Sequence, residues 1–148
     1  MKKRYVLIPA YKPGETLLSF IQALEERNLK VIVVNDGSGE EYLPLFQKME
    51  DHTGVKLIQL EQNRGKGAAL KAGLSYLQTL DGNFQIITVD ADGQHSLQDT
   101  LFLLEEGEEH ENCLLLGSRT QSGSSPLRSR LGNAITRKVF SLTTGVPI

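Results

Sequence analysis

Five short apolar runs, each closed by polar residues, alternate along the chain with longer amphipathic stretches. No other feature constrains the fold as strongly. The runs are Tyr5-Val6-Leu7-Ile8, Val31-Ile32-Val33-Val34, Val55-Lys56-Leu57-Ile58-Gln59-Leu60, Phe84-Gln85-Ile86-Ile87-Thr88-Val89 and Cys113-Leu114-Leu115-Leu116. Near-continuous apolar character, rather than alternation, suits strands covered on both faces, as in a parallel sheet. Between the runs, Leu17, Ile21, Leu24 and Asn28 recur at helical spacing, as do Ala69, Gly73, Tyr76, Leu77 and Leu80. Leu97, Leu101 and Leu104 repeat the pattern behind Ser96 as N-cap, and residues 39–50 predict a weaker helix. The order β-α-β-α-β-α-β-α-β predicts an α/β protein with an open, Rossmann-like, mostly parallel central sheet flanked by helices.

The 148 residues fit one domain or most of one. Hydrophobic residues at 39% and charged residues at 23% exclude wholesale disorder. No apolar run approaches the roughly 18–20 residues of a membrane span, and the four-residue run after Lys2-Lys3-Arg4 is too short for a secretory signal. The single cysteine, Cys113, excludes an internal disulfide and a cysteine-rich zinc site, and it points to a cytoplasmic setting. A net charge of −2 argues against nucleic acid as partner. That value hides an asymmetry: residues 81–111 carry nine acids and no Lys or Arg, whereas residues 119–148 carry five cations and no acid.

Gln121-Ser122-Gly123-Ser124-Ser125-Pro126 is linker-like and divides the α/β unit, residues 1–120, from a basic tail, residues 121–148. In the tail Leu127, Leu131, Ile135, Val139 and Leu142 predict an amphipathic helix opening after Pro126. The apolar end Gly145-Val146-Pro147-Ile148 carries the expectation that the polypeptide is cut short of a larger catalytic unit.

Open α/β sheets bind ligands outside the carboxyl ends of their strands, so the residues leaving each strand matter most. Asp90-Ala91-Asp92 is the sharpest of these exits. Its two carboxylates point the same way if strand geometry continues, and they repel unless a cation lies between them. Oxygen ligands of this kind suit Mg²⁺ or Mn²⁺, with Gln94 or His95 completing the shell; the alternative is a solvated acidic turn capping the next helix. Asp36 can accept from a base N–H or a ribose hydroxyl, or can close an Asx turn. Pro9-Ala10-Tyr11 offers a rigid edge and a phenol to a base, or simple loop packing. Asn63-Arg64-Gly65-Lys66-Gly67 is not a P-loop, but it opens a helix whose N–H groups favour an anion, with Arg64 or Lys66 on a ligand phosphate. Arg119 either neutralises a diphosphate or is a surface arginine. His52 and His110 are expected to be solvated without a role, and Cys113 to be a buried strand residue.

The ordered set Ile8-Pro9-Ala10-Tyr11, Val34-Asn35-Asp36-Gly37-Ser38, Asn63-Arg64-Gly65-Lys66-Gly67-Ala68-Ala69, Asp90-Ala91-Asp92-Gly93-Gln94-His95 and Gly117-Ser118-Arg119 resembles a family 2 glycosyltransferase with a GT-A fold. The polyprenyl- or dolichyl-phosphate sugar synthase branch is the most similar. The resemblance implies that Pro9, Tyr11 and Asp36 contact the nucleotide and that Asp90, Ala91 and Asp92 meet the sugar diphosphate. It also implies metal ligation by Asp90, Asp92 and Gln94, and an Arg119 that approaches the donor. With Lys66 added from the residues themselves, the expected nucleotide-sugar contacts are Pro9, Ala10, Tyr11, Asp36, Lys66, Asp90, Ala91, Asp92 and Arg119. Asp92 and Arg119 are expected to be catalytic. Two departures stand out: Lys12-Pro13 replaces a common Asn-Glu, which removes an acidic contact or moves it to Glu15, and Asn35 replaces a common acid.

The implied function is metal-assisted transfer of a hexose from a nucleoside-diphosphate sugar to polyprenyl phosphate. The basic tail would face an anionic lipid surface on the inner side of the cell membrane. The alternative is an inert sugar-nucleotide-binding module. A dinucleotide dehydrogenase is excluded because Pro9-Ala10-Tyr11-Lys12-Pro13-Gly14 lacks G-x-G-x-x-G. A receiver domain is excluded because its acids follow strands one and three, whereas these follow two and four.

Overall fold

The computed structural model describes residues 2–93, 96–109 and Leu115. In chain order the elements are β1 (Lys3–Ala10), α1 (Thr16–Glu25), β2 (Lys30–Asp36), a 3₁₀ turn (Glu40–Tyr42), α2 (Leu43–Glu50), β3 (Val55–Leu60), α3 (Lys66–Leu77), β4 (Phe84–Thr88) and α4 (Leu97–Glu109). The four described strands are all parallel, in the order β3-β2-β1-β4.

Strand periodicity divides the core in two. Val6, Ile8, Val31 and Val33 face Leu17, Ile21 and Leu24 of α1, Phe46 and Met49 of α2, and Leu104 of α4. The intervening Leu7, Ile32 and Val34 face Ala69 and Leu77 of α3. This is why β1 and β2 read as unbroken apolar runs: each side chain has a helix above or below it, and burial stabilises it by about 1.5–3 kcal/mol. The chain steps outward from β1 to β2 to β3, then crosses back to β4 on the far side of β1. Right-handed crossovers then put α3 on the face opposite α1 and α2. The reversal opens a crevice between β1 and β4 at their carboxyl ends. Close approach of α3 to the sheet depends on Gly73, where a Cβ would run into the buried Leu7 side chain.

The expected α/β architecture is present, with differences at element ends. β2 runs on through Asn35 and Asp36, which pair in register with Gln59 and Leu60, so Asp36 is held by the sheet and not by a loop. β1 is longer than its apolar run, and β3 matches its run. Asn28 is not part of α1. It has φ +57 beyond the helix end, a conformation asparagine tolerates, and it turns the buried Leu29 back toward the core. Leu80 likewise lies past the end of α3 but still packs on its core. The weak helix divides into the 3₁₀ turn and α2, with Pro44 in the first turn of α2, where its missing N–H costs nothing. Ser96 caps α4 as expected: its Oγ accepts the Asp99 N–H at 3.0 Å.

His52 is not simply solvated. Its Nδ1 lies 2.5 Å from the Glu25 carboxylate, which also accepts the Gly54 N–H at 2.8 Å. This ties the end of α1 to the turn before β3, at the sheet end away from the crevice. The fifth strand (except Leu115), His110, Cys113, the boundary at residue 120 and the tail helix lie outside the described residues.

Phe46 is fully buried between α2 and the sheet, whereas Phe102 on α4 is 58% exposed. Phe46→Ala is expected to cost about 3–5 kcal/mol, and Phe102→Ala to stay within about 0.5 kcal/mol of the parent. Urea midpoints of the two variants measured side by side check this.

Candidate functional site

Of the loops that leave the carboxyl edge of the sheet, those after β1, β2 and β3 are locked together by short polar side chains at and just beyond the end of β2. Asn35 Oδ1 accepts the Ser38 N–H at 2.9 Å and fixes the turn after β2. Ser38 Oγ accepts the Lys12 N–H at 2.9 Å, which pins the loop after β1. Asp36 Oδ1 accepts the Arg64 N–H at 2.8 Å, which pins the loop after β3. Asn35, Asp36 and Ser38 are all buried. Each such oxygen therefore needs a donor, and the neighbouring loop amides supply them. Gly37 completes the junction with φ +65; a Cβ there would strike the backbone of Gln62 and Asn63.

These constraints frame a cleft of about 280 Å³ at the crevice between β1 and β4. One wall is the loop from Pro9 to Gly14, in which Tyr11 is half-exposed and Lys12 Nζ lies 5.4 Å from the centre of the Tyr11 ring. Lys12 takes a left-handed φ of +48, and Pro13 is buried beneath the loop. The remaining lining comes from Asp36, from Lys66 and Ala69 of α3, and from Asp90, Ala91 and Asp92 after β4. Lys66 is the first residue of α3, and its Nζ lies 2.5 Å from Asp90 Oδ1.

Pro9, Ala10, Tyr11, Asp36, Lys66, Asp90, Ala91 and Asp92 thus share one cleft, although four separate segments of sequence suggested them. Arg64 does not line it and contributes its backbone amide to Asp36 instead. Glu15 also stands outside the cleft lining. Gln94, His95 and Arg119 lie outside the described residues. Strand geometry does not continue through the acid pair. β4 ends at Thr88, and the chain turns through Ala91 and Asp92 to Gly93 at φ +75. Both acids border the cleft because of that turn, not because of strand alternation.

Lys12, Pro13 and Gly14, which follow the first strand but were not among the expected contacts, also line the cleft; sequence reasoning missed Ala69 as lining and Ser38 as the hydroxyl that holds the first loop. The polarity of Ser38 inside an otherwise turn-like string was the only available signal. Among the described residues no group of three or more His, Cys, Asp or Glu side chains is placed to hold a metal ion. The carboxylates that line the cleft are Asp36, Asp90 and Asp92. Asp36 is already engaged by an amide. A second, shallower depression lies across the β2 loop, with Glu40 and Glu61 as its only charged lining residues, a poor match for an anion.

The sequence model of glycosyl transferase family 2 matches residues 5–145, nearly the whole chain. The chain belongs to that family. The UDP-N-acetylglucosamine–dolichyl-phosphate N-acetylglucosaminyltransferase of Methanococcus voltae is 26% identical over 147 residues, covering 87% of this chain and 58% of that protein. A dolichyl-phosphate beta-glucosyltransferase of Trichomonas vaginalis is 28% identical over 152 residues, covering 92% and 44%. The chain therefore spans about half the length of these family members. Crystalline Staphylococcus aureus TarS superposes with a TM-score of 0.55 at 22% identity, covering 84% of this chain and 23% of TarS, so the two share the fold. The GT-A arrangement expected from the motifs is thus the one observed. Among the described residues no helix is long and apolar enough to cross a membrane.

Gly37 is where backbone strain and the loop junction coincide. Gly37→Ala is expected to lose about 1–3 kcal/mol from the forced positive φ alone, with more from the backbone clash. A lowered thermal midpoint together with faster amide exchange at Lys12 and Arg64 checks it.

Proposed function

We propose that this chain forms the donor-binding part of a glycosyltransferase that moves a hexose from a nucleoside-diphosphate sugar to polyprenyl phosphate. The observation that carries this reading is the meeting of Asp36, Lys66, Asp90 and Asp92 beside the Tyr11 loop in one cleft at the strand-order reversal. In this reading the Pro9-Ala10-Tyr11 edge packs on the base, and Asp36, held rigid by the Arg64 amide, presents its remaining acceptor capacity to the nucleoside. Lys66 and Arg119 face the diphosphate.

Asp90 and Asp92 are hard oxygen donors bordering the same cleft, a set that fits Mg²⁺ or Mn²⁺, with Gln94 as a further ligand. A divalent ion held there offsets the charge that develops on the departing diphosphate. Asp92 and Arg119 are the residues assigned to the chemical step, through their hold on that group. The lipid-phosphate acceptor is supported by the two family members whose names specify dolichyl phosphate. It is also supported by chemistry: a phosphate acceptor is already anionic at neutral pH and needs little help from a general base. The five cations of residues 119–148 would draw the chain to an anionic cytoplasmic leaflet, at about 1 kcal/mol each near the surface.

Calorimetry with UDP- and GDP-sugars, with and without Mn²⁺, tests donor binding. Transfer of labelled hexose to polyprenyl phosphate in vesicles tests the reaction. Asp92→Ala is expected to remove the metal-dependent part of donor binding, a loss of about tenfold or more, equivalent to at least about 1.4 kcal/mol. Donor binding that is indifferent to both Mn²⁺ and this substitution would sink the metal assignment. Donor binding without transfer would leave a sugar-nucleotide-binding module.

A further inference from the structure

We propose that Lys66 is a resident counter-ion of the acid pair, and that a divalent cation gains Asp90 only when an incoming diphosphate draws the Lys66 ammonium away. The proposal rests on the assignment of the metal to Asp90 and Asp92, and it concerns what this chain's own lysine does to that binding.

Three observations carry it. First, Lys66 Nζ lies 2.5 Å from Asp90 Oδ1, one of the oxygens a metal needs. Second, the pair is not sealed in place: the Lys66 side chain is 59% exposed and that of Asp90 39%. An ammonium this exposed is not held by packing and can exchange one anionic partner for another. Third, Lys66 occupies the positive end of α3, whose first turn contains no acidic residue and whose Gly65 cap makes no side-chain bond to it. An added anion is favoured there, and an added cation is not.

Charge balance gives the consequence. Asp90, Asp92 and Lys66 together carry −1. With the ammonium on Asp90, a bare divalent ion meets a carboxylate already engaged and an adjacent like charge. If the ion displaces the ammonium, the lysine loses its carboxylate. A diphosphate removes the conflict by giving the ammonium a second anion to bind. Metal and nucleotide then strengthen each other's binding, and linkage requires the effect to be equal in both directions. Lys66 thereby discourages the metal from settling without a donor.

The test uses the full chain and Mn²⁺ alone, with free ion followed by electron paramagnetic resonance at low ionic strength. Lys66→Gln is expected to tighten Mn²⁺ about tenfold in the absence of nucleotide, the scale for deleting a contacting charge at a half-exposed site. Lys66→Arg is expected to keep parent-like affinity. Lys71→Gln removes the same charge from an exposed position of α3 outside the cleft, and it is expected to change nothing. Adding UDP is expected to tighten Mn²⁺ strongly in the parent and much less in Lys66→Gln. Asp92→Asn in the Lys66→Gln background is expected to abolish the binding. Unchanged or weaker Mn²⁺ binding by Lys66→Gln, with binding still lost in Asp92→Asn, would overturn the counter-ion role and leave the metal assignment standing. Mn²⁺ binding indifferent to Asp92 in every variant would overturn both.

Discussion

Everything at the rim of this sheet depends on three buried oxygens at the end of β2, each accepting a backbone N–H. Asn35 takes the amide of Ser38, Ser38 that of Lys12, and Asp36 that of Arg64. Loops at the carboxyl edge of a parallel sheet have no ladder to hold them, because their strands have ended. Side chains at the end of the central strand take over that role, and burial makes the bonds matter, since an unpaired amide there costs about 1–3 kcal/mol. The walls of the cleft are thus built to one geometry before any ligand arrives.

The second controlling fact is electrostatic. Asp90 and Asp92 are brought to the same cleft by the turn after β4, and the sequence between residues 81 and 111 holds no cation to balance them. Among the described residues, Lys66 at the start of α3 brings an ammonium to Asp90 from the other side of the crevice. If Lys66 yields Asp90 as proposed, a ligand arriving as a metal-bound anion gives each of these charges a new partner.

Much of the molecule was legible before any coordinates. β3 lies where its run ended, Ser96 caps α4, and eight of the cleft residues were singled out from the exits of their strands. The errors share a cause. Asn28 and Leu80 keep the helical spacing of their neighbours but lie beyond the ends of their helices, because an apolar or amide side chain can serve the core from a turn as well as from a helix. Arg64 stands in an anion-friendly string, and the hydrogen bond seen there is that of its amide to Asp36, a backbone role no side-chain pattern announces. The acid pair was expected to share a strand face, and it shares a turn instead.

Composition and order along the chain determined by themselves which segments are buried on both faces, hence strands, and which polar residues follow them. Those are local properties, set by side-chain volume, solvation and the two backbone periods. Only the tertiary structure decided who meets whom across the rim: Lys66 with Asp90, Asp36 with the Arg64 amide, and Ser38 with the Lys12 amide. Such pairs depend on the crossover from β3 to β4, which sets both the neighbours of β1 and the face that α3 covers. No window of sequence contains that choice, because it is made by the packing of the whole sheet.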